Sequence, residues 1–156
     1  MKKSIRRFFL LGIFFILTAA RYAFSEEAGY RPCKMEDLPG KRWTLVSQIN
    51  APSPEASPNH QEFAFDPNGT YQFVASPKAI TEKNRESLKP VEGNYQINEA
   101  NALVLDISGH SETALCSVLL VNTGDEHSDE SSPRAGDMML IYSNPPGLKK
   151  LLRSSK

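Results

Sequence analysis

Few side chains in this 156-residue sequence have the types and spacing that catalysis or metal binding requires. The three histidines, His60, His110 and His127, stand apart in polar stretches, so no pair has the spacing of two metal ligands on one helix face. The run Asp125–Glu130 offers oxygen ligands for a weak divalent-cation site, but it lacks the glycine and ligand periodicity of an EF-hand and equally fits a solvated loop. Neither a G-x-S-x-G motif nor a glycine-rich phosphate loop occurs. The sequence therefore predicts a protein that is not an enzyme and that holds no metal or other cofactor.

The two cysteines, Cys33 and Cys116, have no neighbouring Cys or His that would complete a redox motif or a zinc site. An even number of cysteines in an exported chain favours a disulfide, and two cysteines allow only one pairing. Closing a loop of about 80 residues would stabilise the fold by about 4 kcal/mol through loop-closure entropy. The alternative is a pair of buried free thiols. We assign both cysteines a structural role and predict a Cys33–Cys116 disulfide.

The first 25 residues have the pattern of a secretory signal peptide. Four basic residues precede the apolar run Phe8–Ala20, and the small residues Ala23 and Ser25 suit a peptidase that cleaves after Ser25. The alternative is an uncleaved membrane anchor, although this run makes only about 20 Å of helix against a hydrocarbon core of about 30 Å. The sequence predicts a periplasmic or secreted protein with a signal peptide at 1–25, a lead-in segment at 26–37 and one domain at 38–156. Its contact with the membrane is expected only through the signal segment during export.

Charge and composition narrow the class of protein further. The full chain carries 18 basic and 18 acidic residues. The signal segment contains five of the basic residues and none of the acidic ones, which leaves the mature chain with a net charge of about −5. Since no cluster of Lys and Arg interleaved with aromatic residues offsets this charge, a nucleic-acid partner is not expected.

The body of the chain alternates apolar and polar residues with the period of β-strands, and turn residues separate the alternating runs. Helix is expected only as one short turn within Ala79–Leu88. Gly93, inside a strand, predicts a bulge or a close approach of backbone. The pattern predicts an all-β fold, an eight-stranded antiparallel up-and-down barrel, with a β-sandwich as the alternative. The predicted strands are Arg42–Ile49, Glu62–Asp66, Thr70–Ser76, Val91–Ile97, Ala102–Ser108, Glu112–Asn122, Met138–Ser143 and Leu148–Arg153.

Three segments of this barrel, Leu38–Ser47, Phe63–Tyr71 and Glu92–Ile97, resemble the bacterial lipocalin-like (calycin-type) small exported domains. That family has a Gly and then a Trp opening the first strand, an F-D-x-x-G-T hairpin, a G-x-Y strand and a late hydrophobic hairpin. Barrels of this kind commonly pack a late Arg over the opening Trp. The resemblance therefore implies that Arg153 lies over Trp43, with both in structural roles.

The resemblance also implies that the protein binds a small apolar or amphipathic molecule in the barrel mouth. An alternative is that the inward side chains simply fill a barrel of this size. A second alternative is a protein-interaction module, such as a secreted inhibitor or an envelope assembly factor, that recognises its partner through the loops Asn50–His60, Pro77–Pro90 and Thr123–Asp137. The candidate lining residues are the inward-facing Phe63, Phe65, Tyr71, Phe73, Tyr95, Leu103 and Leu105.

Overall fold

The computed structural model describes residues 29–53, 55, 57–122 and 130–155. The predicted signal segment at 1–25, and residues 125–129 of the acidic run, lie outside them. Within the described residues there are nine strands, a 3-10 helix at Met35–Asp37 and a short α-helix, α1, at Glu82–Arg85. None of these helices is long and apolar enough to cross a bilayer. The strands are β1 Tyr30–Pro32, β2 Arg42–Ile49, β3 His60–Phe65, β4 Thr70–Ser76, β5 Val91–Ile97, β6 Ala102–Ile107, β7 His110–Leu119, β8 Met138–Tyr142 and β9 Lys149–Ser155.

Strands β2 to β9 form a closed antiparallel barrel, as the sequence predicted. Each strand pairs with its neighbour in the sheet, and pairing between β7 and β8 joins the two sides. This closure excludes the β-sandwich alternative. The extra strand β1 pairs with the last residues of β7, Ser117 to Leu119, beyond the stretch of β7 that pairs with β6.

The hairpin of β3 and β4 shows why these residues form strands. Asp66 to Gly69 make the turn, in which the Gly69 N–H donates to the Asp66 carbonyl oxygen at 3.1 Å and Gly69 has a φ of 87°. The register that follows places Phe63 opposite Phe73 and Phe65 opposite Tyr71. Cross-strand aromatic pairs of this kind stabilise a sheet, and here they turn inward and build the core.

The direction of the strands gives the barrel two distinct ends. The end where β2 stops and β3 begins carries the connections at residues 50–59, 77–90, 108–109 and 143–148; we call this end the mouth. The opposite end, where β2 begins, receives the lead-in segment and is called the closed end.

The lead-in segment is tied to the closed end by a disulfide and is braced internally by an ion pair. Cys33 and Cys116 form a disulfide with a Cα–Cα distance of 5.3 Å, which confirms the predicted pairing. The Arg31 guanidinium donates to both carboxylate oxygens of Asp37, at 2.7 and 2.6 Å, and this contact lowers the pKa of Asp37. A disulfide of this kind indicates an oxidising, extracytoplasmic compartment.

Trp43 lies at the closed end with only 1% of its surface exposed. Its indole N–H donates to the carbonyl oxygen of Leu38 at 3.2 Å. The cation over its ring is the ammonium of Lys41, 5.5 Å from the ring centroid. The indole thus plugs this end of the barrel.

Arg153 does not supply the cation predicted over Trp43. The register of β9 on β2 pairs Arg153 with Thr44, and successive residues of a strand face opposite sides of the sheet. The Arg153 guanidinium instead donates to both carboxylate oxygens of the buried Asp137, at 2.9 and 2.7 Å, and to two carbonyl oxygens of the 130–137 loop, at 2.7 and 2.8 Å. Its structural role is to hold that loop against the barrel.

The close approach predicted at Gly93 is present. A Cβ at this position would overlap the backbone carbonyl oxygen of Asp106 and would lie 2.8 Å from Cε1 of Tyr71. We expect Gly93→Ala to lower the free energy of unfolding by about 1–3 kcal/mol, because the packed neighbours must shift. Urea denaturation measures the effect, with Asn94→Ala at the exposed neighbouring position as the control. If both variants have the same urea midpoint of unfolding as the wild type, the close packing around Gly93 is contradicted.

Candidate ligand-binding site

The predicted lining residues come together inside the barrel, but most of them contact one another. The rings of Phe63 and Phe73 have centroids 4.7 Å apart, and those of Phe65 and Tyr95 are 4.9 Å apart. Phe73 is half-buried, and the other six are nearly inaccessible. These side chains therefore fill much of the interior by contact with one another, which corresponds to the first alternative considered for them. The six buried residues are Phe63, Phe65, Tyr71, Tyr95, Leu103 and Leu105.

The two buried tyrosines of this set differ in how their hydroxyl groups are satisfied. The Tyr95 hydroxyl donates to the carbonyl oxygen of Asp66 at 2.8 Å, at the closed end. The Tyr71 hydroxyl is buried and has no hydrogen-bond partner among the described residues. Burial raises the pKa of Tyr71, and the negative charges of Glu112 and Asp106 raise it further. Buried polar atoms are nearly always paired in folded proteins, so Tyr71 is an exception that requires an explanation.

A buried lysine is the second unusual polar group of the interior. Lys150 on β9 is 8% exposed, and its Nζ donates to the side-chain oxygen of Gln61 at 2.9 Å. The ammonium lies 4.9 Å from the ring centroid of Tyr142 and 6.0 Å from that of Phe63. A lysine ammonium has three N–H donors, and Gln61 accepts one of them. Among the described residues the ammonium has no carboxylate partner in an ion pair.

Glu112 supplies the negative charge that acts on this group. It stands on β7 opposite the inward-facing Leu105, and cross-strand partners share a face of the sheet. Burial lowers the pKa of Lys150, and the Glu112 charge opposes that shift. Burial also raises the pKa of Tyr142, with smaller contributions from Glu112 and Tyr71. Gln61, Glu112, Tyr142 and Lys150 lie within three residues of the mouth end of their strands, and the buried Tyr71 side chain belongs to the same interior. We call the five residues Gln61, Tyr71, Glu112, Tyr142 and Lys150 the mouth cluster.

Described residues of the connection at 50–59 are linked to the cluster by side-chain hydrogen bonds. The Gln61 amide nitrogen donates to a carbonyl oxygen of this connection at 2.7 Å. Ser57, which is buried, donates from its hydroxyl to Gln48 at 2.7 Å, and the Gln48 amide returns a bond to the Ser57 carbonyl oxygen at 2.8 Å. Gln61 therefore joins Lys150 to Ser57 and Pro58 of this connection.

A groove lies on the outside of the barrel. It has a volume of about 240 Å³ and is lined on one side by strands β2, β3 and β4 and on the other by the 77–90 connection. Its one buried carboxylate, Glu62, is paired with Arg85 at 3.0 Å and with Arg42 at 3.6 Å. Glu62 is therefore ion-paired in this groove, whereas Lys150 of the mouth cluster forms no ion pair with a described residue. Its lining residues are Arg42, Glu62, Ala64, Gln72, Val74, Arg85, Glu86, Leu88 and Pro90.

The residues singled out for metal chemistry are not brought together in the described part of the chain. There, no group of three His, Cys, Asp or Glu side chains is arranged to hold an ion. His60 begins β3 and His110 begins β7. Of the acidic run, Glu130 lies in the described loop, where its carbonyl oxygen accepts from Arg153 at 2.7 Å. The remainder of that run, together with His127, falls outside the described residues.

The sequence analysis missed the mouth cluster apart from Tyr71. One signal was available: Lys150 stands between Leu148 and Leu152 at alternate positions at and just before the start of β9, and the structure buries all three. The alternation places Lys150 on the inward face, where a basic residue is unusual. Nothing comparable marks Gln61 or Glu112, because polar residues at the ends of strands usually face solvent.

In comparisons with known proteins the chain matches no family model, no curated protein and no solved structure. The function of the protein is therefore inferred from the mouth cluster and the outer groove.

Lys150→Met is expected to raise the free energy of unfolding of the ligand-free protein by about 1 kcal/mol near neutral pH, because an apolar side chain replaces a desolvated charge. The folded-state pKa of Lys150 lies below its ordinary value of 10.5. The loss of stability that comes from burying the charged ammonium is therefore fully present below the folded-state pKa. It is relieved as the pH rises toward 10.5.

The measurement is denaturant unfolding of wild type and variant across that pH range, where the difference between them should shrink as the pH rises. Lys149→Met, at the exposed neighbouring position, is the control. If Lys150→Met is less stable than the wild type at neutral pH, the ammonium is not an unpaired buried charge.

Proposed function

We propose that the protein is an exported, lipocalin-like binding module without enzymatic activity, which holds a small amphipathic molecule at the mouth of its barrel. The observation that carries the proposal is the mouth cluster, in which a buried ammonium and a buried hydroxyl have spare hydrogen-bonding capacity. A ligand with a polar head would pair these groups. The disulfide supports a periplasmic or secreted location.

The proposal limits the ligand to the upper part of the barrel. The aromatic side chains toward the closed end fill their space by mutual contact. Phe73 and Ile107 are only partly buried, and both share the inward face of their strands. Small-molecule sites typically combine such apolar surface with a few convergent polar groups. Phe73, Ile107 and the mouth cluster therefore form the proposed ligand-binding site, which we call the seat.

Native mass spectrometry of the protein purified without detergent from its own host tests this proposal. We expect a bound molecule of a few hundred daltons at one per chain, released when the protein is denatured. Ile107→Glu should abolish the bound species, because it places a charge on the apolar part of the seat. Ile49→Glu is the matched control, since Ile49 is 55% exposed. A folded chain without any bound species in every preparation would overturn the proposal.

The outer groove supports a second candidate, a protein-interaction module. Ala64, Val74 and Leu88 give the groove an apolar lining beneath the 77–90 connection, which is one of the loops expected to recognise a partner. In this case the same spectra should contain a second polypeptide. Leu88→Glu should release it, and Ile107→Glu should not. The opposite pattern would favour the mouth.

A further inference from the structure

We infer that the mouth cluster is a recognition site for a single carboxylate, in which the Lys150 ammonium and the Tyr71 hydroxyl are the two donors. This inference rests on the proposed function and names the polar head of the ligand. It assigns the tail of the ligand to the apolar surface of Phe73 and Ile107.

The first argument is the missing counter-charge of Lys150. An ammonium is rarely buried without an anion beside it, because desolvation penalises the charged form. The groups in contact with Nζ are the neutral Gln61 amide and the faces of two aromatic rings. Glu112 acts on Lys150 electrostatically but makes no ion pair with it. An anion entering the mouth would supply the partner that the described part of the chain does not.

The second, independent argument is the Tyr71 hydroxyl. It is fully buried and has no acceptor among the described residues. The ring lies against Gly93, where even a Cβ would be 2.8 Å from Cε1, so the absence of a side chain at Gly93 makes room for the ring. Tyr71 and Lys150 both interact electrostatically with Glu112, and Tyr71 also interacts with Tyr142, over which the ammonium lies. Tyr71 and Lys150 are both buried inside the same barrel, and two such donors match the two oxygens of a carboxylate.

The third argument concerns the charge of the ligand. Glu112 and Asp106 both act on Tyr71 with negative charge. A carboxylate would bring one negative charge into the neighbourhood of Glu112, whereas a doubly charged phosphate would bring two against the single ammonium of Lys150. The cluster should therefore prefer a monoanion to a dianion.

Isothermal titration calorimetry with three ligands of equal chain length tests the inference. The ligands are dodecanoate and dodecyl phosphate, each below the concentration at which it forms micelles, and uncharged dodecanol, below its solubility limit. The wild type should bind dodecanoate about tenfold more tightly than either of the others, as expected for a charge-assisted contact.

Variants then assign the preference to the two donors. Lys150→Met should remove the preference for dodecanoate over dodecanol, and Lys149→Met should leave it unchanged. Tyr71→Phe should weaken dodecanoate binding several-fold without affecting dodecanol, because it deletes only an unpaired hydroxyl.

The outcomes separate the inference from the proposed function. Equal binding of dodecanoate and dodecanol would overturn the carboxylate site and leave the binding module standing. Tighter binding of dodecyl phosphate than of dodecanoate would also overturn it. Binding of none of the three would count against the inference and the proposed function together.

Discussion

Trp43→Ala is expected to lower the free energy of unfolding by about 3–5 kcal/mol, a large part of the roughly 5–15 kcal/mol that stabilises a domain of this size. The indole is 1% exposed, and its N–H is bonded to the Leu38 carbonyl oxygen at 3.2 Å. Truncation to alanine leaves a cavity at the closed end and an unpaired carbonyl oxygen. It also removes the ring over which the Lys41 ammonium lies. Denaturant unfolding measures the loss directly.

Phe63→Ala, in the same core, should lower the stability by a similar amount. Ile49→Ala is the control, because Ile49 is on β2 as well but is 55% exposed. That variant should unfold within about 0.5 kcal/mol of the wild type. If Trp43→Ala and Ile49→Ala have the same free energy of unfolding, the indole does not fill the closed end of the barrel and the register of β2 is wrong.

Replacing both Cys33 and Cys116 with serine is expected to lower the free energy of unfolding by about 4 kcal/mol. The two residues are separated by 83 positions, so the bridge removes much of the conformational freedom of the unfolded chain. It also fixes the described part of the lead-in segment, which otherwise pairs with the barrel through the three-residue strand β1 and a few backbone hydrogen bonds. The loss should appear in denaturant unfolding without reductant.

Hydrogen exchange adds a local readout for the same variant. Amides of β1 and of the 3-10 helix should lose protection first, while those of β3 and β4 keep it. Thiol labelling of the denatured, non-reduced wild type should find no free thiol. Two labelled thiols per chain, or equal stability of wild type and variant, would contradict the predicted bridge.

The alternation of apolar and polar residues predicted most strands of the barrel, because each hairpin is specified by its own turn and the residues beside it. Asp66 to Gly69 set the register of β3 and β4, so their bounds could be predicted to within two residues. β7 was harder: it begins at His110, because Ser108 and Gly109 turn the chain with positive φ, and it ends at Leu119 rather than at Asn122. β1 has only three residues, too few for a period-two pattern to be recognised.

The site could be predicted much less well, because its character depends on the closure of the barrel. Lys150 is buried only because β9 lies beside β2 and β8, which brings Gln61 and Tyr142 to its ammonium. Neither contact can be predicted from residues that are adjacent in the sequence. The same limit applies to Arg153, whose partner, Asp137, precedes β8 and became visible only with the fold.

The central claim, that a carboxylate binds at the mouth, is tested most directly by the NMR spectrum of the protein with ¹³C-labelled tyrosine rings, titrated with dodecanoate. Tyr71 and Tyr142 belong to the mouth cluster, whereas Tyr95 is bonded to Asp66 at the closed end and serves as an internal control. We predict saturable shifts of the Tyr71 and Tyr142 resonances, an unchanged Tyr95 resonance, and no shifts in Lys150→Met. Resonances of Tyr71 and Tyr142 that stay fixed at saturating dodecanoate, or that shift no more than Tyr95, would contradict the claim.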